Sequence, residues 1–173
     1  MKKIIVICLG IIILSNGIWS YMYFNKQNKS DMNTEVHLFT LDGSGKQWDV
    51  VGYKILISPH KILRGHAKLV FRGDPSEIDK STYYSLQFKE RINNEDEVVY
   101  TTAGSSNNGS VSILGDLTGT GAIASPYSDG EIIKDKTSFE STTMTITWND
   151  NDGEIHTETI DLDVVNEITL DDE

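Results

Sequence analysis

Residues 142–165 read TTMTITWNDNDGEIHTETIDLDVV, and they have the pattern of a β-hairpin. In the first arm, residues 142–148, apolar side chains alternate with threonines, which indicates a strand with one buried face. Residues 149–153 form the expected turn, because an Asp-Gly pair is a strong hairpin signal. The second arm covers residues 154–165. The hairpin favours an antiparallel β fold, and its inward side chains would be Met144, Ile146, Trp148, Ile160, Leu162 and Val164.

The same alternation recurs through the rest of the chain and is broken by turn residues. It predicts further strands at residues 34–40, 48–57, 66–71, 82–90, 98–102 and 111–114. The expected loops are residues 104–110 and the Gly-rich residues 115–127, and a short helix is expected at residues 129–139. About eight strands with little helix favour an all-β fold, an immunoglobulin-like antiparallel β-sandwich with Trp48 and Trp148 in its core. A small β-barrel is the alternative.

The balance of charge excludes one class of function. The chain has 173 residues, with 15 Lys or Arg and 26 Asp or Glu, so its formal net charge is -11. The function of a basic nucleic-acid-binding protein is excluded, because a chain with this negative net charge would not neutralise phosphates. Residues 1–30 hold no acid, whereas the acids are dense in residues 149–173, where no Lys or Arg occurs. Nucleic acid is therefore not an expected partner.

The N-terminal segment has the pattern of a membrane anchor. Residues 4–24 carry no charge, and a helix of this length would span a hydrocarbon core of about 30 Å. Residues 1–3 (MKK) are a short basic start, expected in the cytoplasm, which favours an N-in orientation. The polar residues 25–35 would be a linker. The expected remainder is an extracytoplasmic β-sandwich at residues 36–170 and an acidic tail at residues 171–173.

A cleaved signal peptide is the alternative interpretation of this segment. Residues 15–17 or 18–20 would then be the cleavage region, and the protein would be secreted. The continued apolar run to Phe24 favours the uncleaved anchor. The only cysteine, Cys8, lies in that run, so the exported part must be held by its core without disulfides.

Several short motifs lie across residues 42–163: Lys46-Gln47-Trp48 with Val50 and Tyr53, residues 65–69 (GHAKL), residues 71–74 (FRGD), residues 125–127 (SPY), and residues 142–148 with Asp150 and Gly153. Together they resemble small, uncharacterised, membrane-anchored or lipoprotein ectodomains of Bacillus-type Gram-positive bacteria. The resemblance implies an extracytoplasmic location in a bacterium, and it carries no functional residue over to this chain. The chain departs from the lipoproteins in this group because Cys8 follows Ile5-Val6-Ile7 and lacks a lipobox.

The acidic turn at residues 150–154 invites a calcium interpretation. In an EF-hand loop the glycine stands at position six, so Gly153 would place Trp148 at position one and Thr159 at position twelve. Neither side chain is a carboxylate, so residues 148–159 do not match the EF-hand pattern. A hairpin turn is expected instead. With an EF-hand site excluded, the sequence predicts only weak, diffuse cation binding. The candidate residues are Asp150, Asp152, Glu154, Asp161 and Asp163.

The sequence predicts no catalytic residue, no cofactor and no tight metal site. The histidines match no common zinc spacing, and no G-x-S-x-G nucleophile motif occurs. The leading hypothesis is therefore a membrane-anchored binding or interaction domain rather than an enzyme. One alternative is a hydrolase whose site forms only in space. Another is an accessory subunit with a membrane-protein partner, which residues 15–17 would contact within the membrane.

Overall fold

The computed structural model describes residues 14–21, 36–92, 94–127 and 136–170. Contacts divide the chain into two units, residues 1–34 and residues 35–173. In the first unit, residues 14–21 form helix α1, whose side chains are exposed. Within the described ranges, no helix is both long enough and apolar enough to cross a membrane. Most of the expected anchor at residues 4–24, the start at residues 1–3 and the whole linker at residues 25–35 lie outside these ranges.

The second unit consists mainly of two antiparallel sheets. The strands of sheet A are β1 (Val36–Ser44), β2 (Trp48–Ser58), β3 (Lys61–Gly65), β4 (Lys68–Phe71), β7 (Ala122–Ser125) and β10 (Asp163–Leu170). They are ordered β10-β1-β2-β3-β7, and β4 also pairs with β2. The strands of sheet B are β5 (Tyr83–Ile92), β6 (Glu95–Ser105), β8 (Thr143–Asn149) and β9 (Ile155–Asp161). Their order is β6-β5-β8-β9.

Three short helical segments connect the strands. A 3₁₀ turn covers Pro75–Glu77, helix α2 covers Ile113–Asp116, and helix α3 covers Lys136–Phe139. The 3₁₀ turn begins after Asp74, whose Oδ1 accepts a hydrogen bond from the backbone N–H of Ser76 at 2.9 Å. Such a cap satisfies a backbone donor that the first turn leaves unpaired. The turn is therefore fixed where it faces the β8–β9 hairpin.

The core lies between the two sheets and is rich in aromatic side chains. Trp48 of β2 and Trp148 of β8 meet edge to face, with ring centroids 5.9 Å apart. Tyr53 of β2 stacks on Phe88 of β5 at 4.0 Å. Both tryptophans are buried, as the sequence predicts. The all-β prediction is confirmed: two antiparallel sheets enclose one core, as in a β-sandwich.

The predicted strand at residues 111–114 is wrong. Residues 113–116 form α2 instead, and both Ile113 and Leu117 are buried. Their four-residue spacing puts both side chains on one face of a helical turn, which the short apolar run did not reveal. The loop predicted at residues 115–127 contains β7, an exposed strand that pairs with β3.

The second arm of the hairpin differs from its prediction. Residues 154–165 were expected to form one strand, but β9 belongs to sheet B and β10 belongs to sheet A. Between them Leu162 is buried, and its N–H donates to the backbone carbonyl of Thr142 at 2.9 Å. The chain thus crosses from one sheet to the other at a buried side chain. Of the helix expected at residues 129–139, only Lys136–Phe139 (α3) lies in the described range. Residues 128–135 and the tail at residues 171–173 lie outside it.

Candidate functional site

The turn between β8 and β9 is held by the side chain of Asp150. Its Oδ1 accepts hydrogen bonds from the backbone N–H groups of Asp152 and Glu154, each at 2.9 Å. The backbone N–H of Asp150 donates to the carbonyl of Glu154 at 3.0 Å. Gly153 takes a φ of 86°, a conformation that glycine adopts without strain. The hairpin turn predicted from the Asp-Gly pair is confirmed.

The second carboxylate oxygen of Asp150 meets a histidine. Its Oδ2 lies 2.7 Å from Nε2 of His156, within hydrogen-bond distance. The His156 ring stacks on the buried Trp148, with centroids 5.3 Å apart and planes 25° from parallel. The hydrogen bond with His156 is the main reason that the pKa of Asp150 lies below its usual value, and the two backbone N–H groups add to it. Asp150 therefore stays ionised beside the imidazole.

The turn also packs against the segment that follows β4. The Asn151 amide donates to the carbonyl of Ser76 at 2.6 Å and to Oδ1 of Asp79 at 2.8 Å. Its oxygen accepts from the backbone N–H of Lys80 at 2.8 Å, and its own N–H donates to the carbonyl of Glu77 at 3.0 Å. Four hydrogen bonds thus join this turn to residues distant in sequence.

A cleft of about 300 Å³ opens where this turn, the 3₁₀ turn and the edge of sheet A meet. We call it the Trp148 cleft. Its lining combines aromatic rings with carboxylates and contains no Lys or Arg among the residues that the structure describes. The lining residues are Gln47, Phe71, Glu77, Ile78, Trp148, Asp150, Asn151, Asp152 and His156. The cleft is thus negatively charged at its rim and aromatic at its base.

A second hollow of about 250 Å³ shares Gln47, Trp148 and His156 with the Trp148 cleft. It also contacts Glu158, whose carboxylate accepts hydrogen bonds from the backbone N–H groups of Lys46 and, at 3.1 Å, Gln47. Glu158 therefore fixes the turn between β1 and β2. Because the Glu158 carboxylate is already hydrogen-bonded to that turn, it contributes less to the recognition of a ligand than a carboxylate without such bonds.

The structure brings together some of the cation candidates and separates the others. Asp150, Asp152 and Glu154 lie around one turn, and a carboxylate oxygen of Asp150 and one of Glu154 lie within 4.8 Å of a His156 nitrogen and of each other. Asp161 ends β9 and Asp163 begins β10, and both are exposed. At about 3.3 Å per residue, they lie roughly 20 Å from the turn along the strand. The five residues do not form one site.

The sequence reasoning missed His156 as a site residue. The register pairs His156 with Trp148 across β8 and β9, so their rings meet on the same face of sheet B. The turn expected at residues 149–153 would have placed residue 148 opposite residue 154, so the sequence did not indicate the pairing with residue 156. Gln47, Phe71 and Glu77 were also missed, because they reach the cleft through contacts between separate elements.

No known protein family matches the chain, and no curated protein or solved structure does either. The resemblance to Bacillus-type ectodomains therefore stays a prediction.

Proposed function

We propose that this protein is a membrane-anchored, extracytoplasmic binding domain that accepts an organic cation, such as a guanidinium group, in the Trp148 cleft. The observation that carries the proposal is the lining of the cleft. Glu77, Asp150 and Asp152 place carboxylates around it, and the half-buried Phe71 supplies aromatic surface beside the nearly fully buried Trp148. A cation between these carboxylates and the Phe71 ring gains both charge attraction and cation–π interaction.

The size of the cleft limits the ligand. A volume of about 300 Å³ is at the lower end of the range for small-molecule sites. It suits one side-chain-sized group better than a complete nucleotide cofactor. The proposed ligand is therefore an arginine-like group on a peptide or on a small molecule.

The location of the domain is part of the same proposal. Its support is the uncharged run at residues 4–24 and the absence of cysteine from residues 36–170. We place the N-terminus in the cytoplasm and the β domain outside, with secretion after signal cleavage as the alternative. Resistance to alkaline carbonate extraction would support the anchor. N-terminal sequencing that finds a chain starting near Ile18 or Tyr21 would contradict it.

The immunoglobulin-like class of the sandwich also belongs to the proposal. What supports it is the pairing of two antiparallel sheets with Trp48 and Trp148 buried between them. Buried tryptophan between the sheets is a feature of that class. An experimentally determined topology of the domain would test it.

The binding test compares two ligands that differ in charge alone. N-acetyl-arginine amide and N-acetyl-citrulline amide have nearly the same shape, and only the first carries a guanidinium. In calorimetric titrations of the full chain in detergent, we expect the arginine compound to bind at least tenfold more tightly. Equal affinity for the two would contradict a cation site.

A matched pair of double variants locates the binding. Glu77→Gln/Asp152→Asn removes two charges at the cleft, and Asp161→Asn/Asp163→Asn removes two charges where β9 ends and β10 begins. We expect the first pair to weaken binding at least fivefold and the second to change it less than twofold. Equal weakening would mean that only the overall charge attracts the ligand.

A hydrolase is the second candidate, and one observation favours it. Asp150 and His156 form a carboxylate–imidazole pair at 2.7 Å beside a cleft. In hydrolases such a carboxylate orients a histidine that acts as a general base. Ester or amide turnover by the full chain that disappears in His156→Gln would favour the enzyme. The accessory-subunit alternative predicts copurification of a membrane protein after mild detergent extraction, lost on substitution of residues 15–17.

A further inference from the structure

One turn of the molecule carries three metal-ligating groups of mixed chemistry. A carboxylate oxygen of Asp150, a carboxylate oxygen of Glu154 and a ring nitrogen of His156 all lie within 4.8 Å of one another. We propose that these three side chains bind one zinc ion at the β8–β9 turn. The site shares Asp150 and His156 with the Trp148 cleft, but it does not depend on whether that cleft accepts an organic cation.

The distances fit zinc after a small rearrangement. Zinc binds histidine nitrogen and carboxylate oxygen at about 2.0–2.2 Å in tetrahedral geometry, which separates neighbouring donor atoms by about 3.3 Å. The 2.7 Å contact between Asp150 and His156 must lengthen by about half an ångström as the ion replaces their hydrogen bond. Glu154 is exposed, so its carboxylate can move toward the other two donors.

Two of the three ligands are already oriented by their neighbours. The Asp150 Oδ1 is occupied by the backbone N–H groups of the turn, which leaves Oδ2 facing His156. The His156 ring is stacked on the buried Trp148. Contacts of this kind, outside the ligand set itself, fix the orientation of metal ligands in proteins. The ion would therefore meet an arrangement that the hairpin already maintains.

The donor set selects the kind of metal. Calcium takes six to eight oxygen ligands, and magnesium also prefers oxygen. An imidazole with two carboxylates is typical of zinc and neighbouring transition metals. Three protein ligands leave a fourth position for water or for a ligand group. A zinc site at Asp150, Glu154 and His156 differs from diffuse cation binding because Asp152, in the same turn, is not one of the ligands.

The test is a calorimetric titration of the full chain in detergent with zinc chloride. We expect saturable binding of one ion per chain. Glu154→Gln and Asp152→Asn form a matched pair, because each removes one charge from an exposed residue of the same turn. We expect Glu154→Gln to weaken zinc binding at least tenfold and Asp152→Asn to change it less than twofold.

A second matched pair tests the imidazole. His156→Gln should also weaken binding at least tenfold, whereas His60→Gln, at an exposed turn, should leave it unchanged. If His156→Gln fails to fold, Glu154→Gln decides the question alone. The proposal is overturned if zinc shows no saturable binding up to 1 mM, a ceiling on the order of the weakest biological metal sites. It is also overturned if Asp152→Asn and Glu154→Gln weaken binding equally, or if calcium binds as tightly as zinc.

Discussion

Arg64 of β3 and Glu90 of β5 form a doubly hydrogen-bonded ion pair between the two sheets. The Arg64 Nε donates to Glu90 Oε1 at 2.7 Å, and its Nη2 donates to Oε2 at 2.9 Å. Both residues are buried, with 2% and 0% exposed. Burying two charges costs free energy, which the paired geometry offsets only while both partners are present.

Removing one charge of this pair should destabilise the fold strongly. Glu90→Gln removes the negative charge that Glu90 presents to the buried Arg64 guanidinium, and we expect a loss of about 3–5 kcal/mol in the free energy of unfolding. Asp96→Asn is the control, because it breaks the exposed pair with Arg91 and should cost less than about 1 kcal/mol. Urea denaturation measures both changes. Similar losses in the two variants would contradict this account of the buried pair.

Tyr53 has a buried hydroxyl that finds no hydrogen-bond partner among the described residues. Because an unpaired buried hydroxyl costs free energy, Tyr53→Phe should leave stability at pH 7 unchanged or raise it. Burial raises the pKa of Tyr53 well above its usual value, and nearby Glu90 adds to the shift. The stabilisation from the neutral phenol is thus complete below the unfolded pKa of about 10 and is lost as the pH rises beyond it.

The alkaline limb of the stability curve tests this assignment. Tyr53→Phe should flatten that limb, whereas Tyr83→Phe, at an exposed position of β5, should not. Thermal melting between pH 8 and pH 11, a range on the order of the phenol pKa, provides the comparison. An unchanged alkaline limb in Tyr53→Phe would show that another group controls it.

Asp150 should make the hairpin sensitive to acid. Since its pKa is lowered in the folded state, chiefly by His156, its stabilising effect is present above the unfolded pKa of about 3.9. That effect is lost as the pH falls through the folded pKa. Asp150→Asn should be less stable than the wild type at pH 7 and should lose less stability on acidification. Parallel acid curves for the two proteins would exclude Asp150 as a contributor.

Gly65 closes β3 at a point where a side chain has no room. Its φ is 136°, and a Cβ there would lie 2.2 Å from the carbonyl oxygen of Gly121. Gly65→Ala should therefore cost about 3 kcal/mol or more. Gly52→Ala is the control, since its φ is also positive but nothing lies within 4 Å of the added Cβ. We expect about 1 kcal/mol there, and equal costs would show that steric contact with Gly121 is unimportant.

Strands with a regular alternation of buried and exposed residues were the easiest to predict, although the short β3 (Lys61–Gly65), which buries Ile62 and Arg64, was missed. In β5, Tyr84, Leu86 and Phe88 are buried and alternate with more exposed residues, so the period is visible in the sequence. In β7 every residue is exposed or half-buried, so Ala122–Ser125 carries no alternation to detect. The change of sheet at Leu162 was also hidden, because a strand that crosses between sheets keeps its period of two.

Only the parts of the candidate site that depend on residues close together in the sequence could be predicted. The Asp-Gly pair predicts the turn that Asp150 holds, because turn formation depends on neighbouring residues. The stacking of His156 on Trp148 depends on the register of two strands. The hydrogen bonds from Asn151 to Ser76 and Asp79 join segments far apart in sequence. Contacts of that kind leave no pattern in one sequence.

The central claim is that the Trp148 cleft binds an organic cation. Nuclear magnetic resonance of the full chain in detergent tests it most directly, with the indole signals assigned by substituting each tryptophan. We predict that N-acetyl-arginine amide shifts the Trp148 indole and the Asn151 side-chain amide saturably, and that Glu77→Gln/Asp152→Asn raises the ligand concentration needed for half of each shift at least fivefold. An unchanged Trp148 signal, or shifts of equal size at Asp161 and Asp163 without saturation, would contradict the claim.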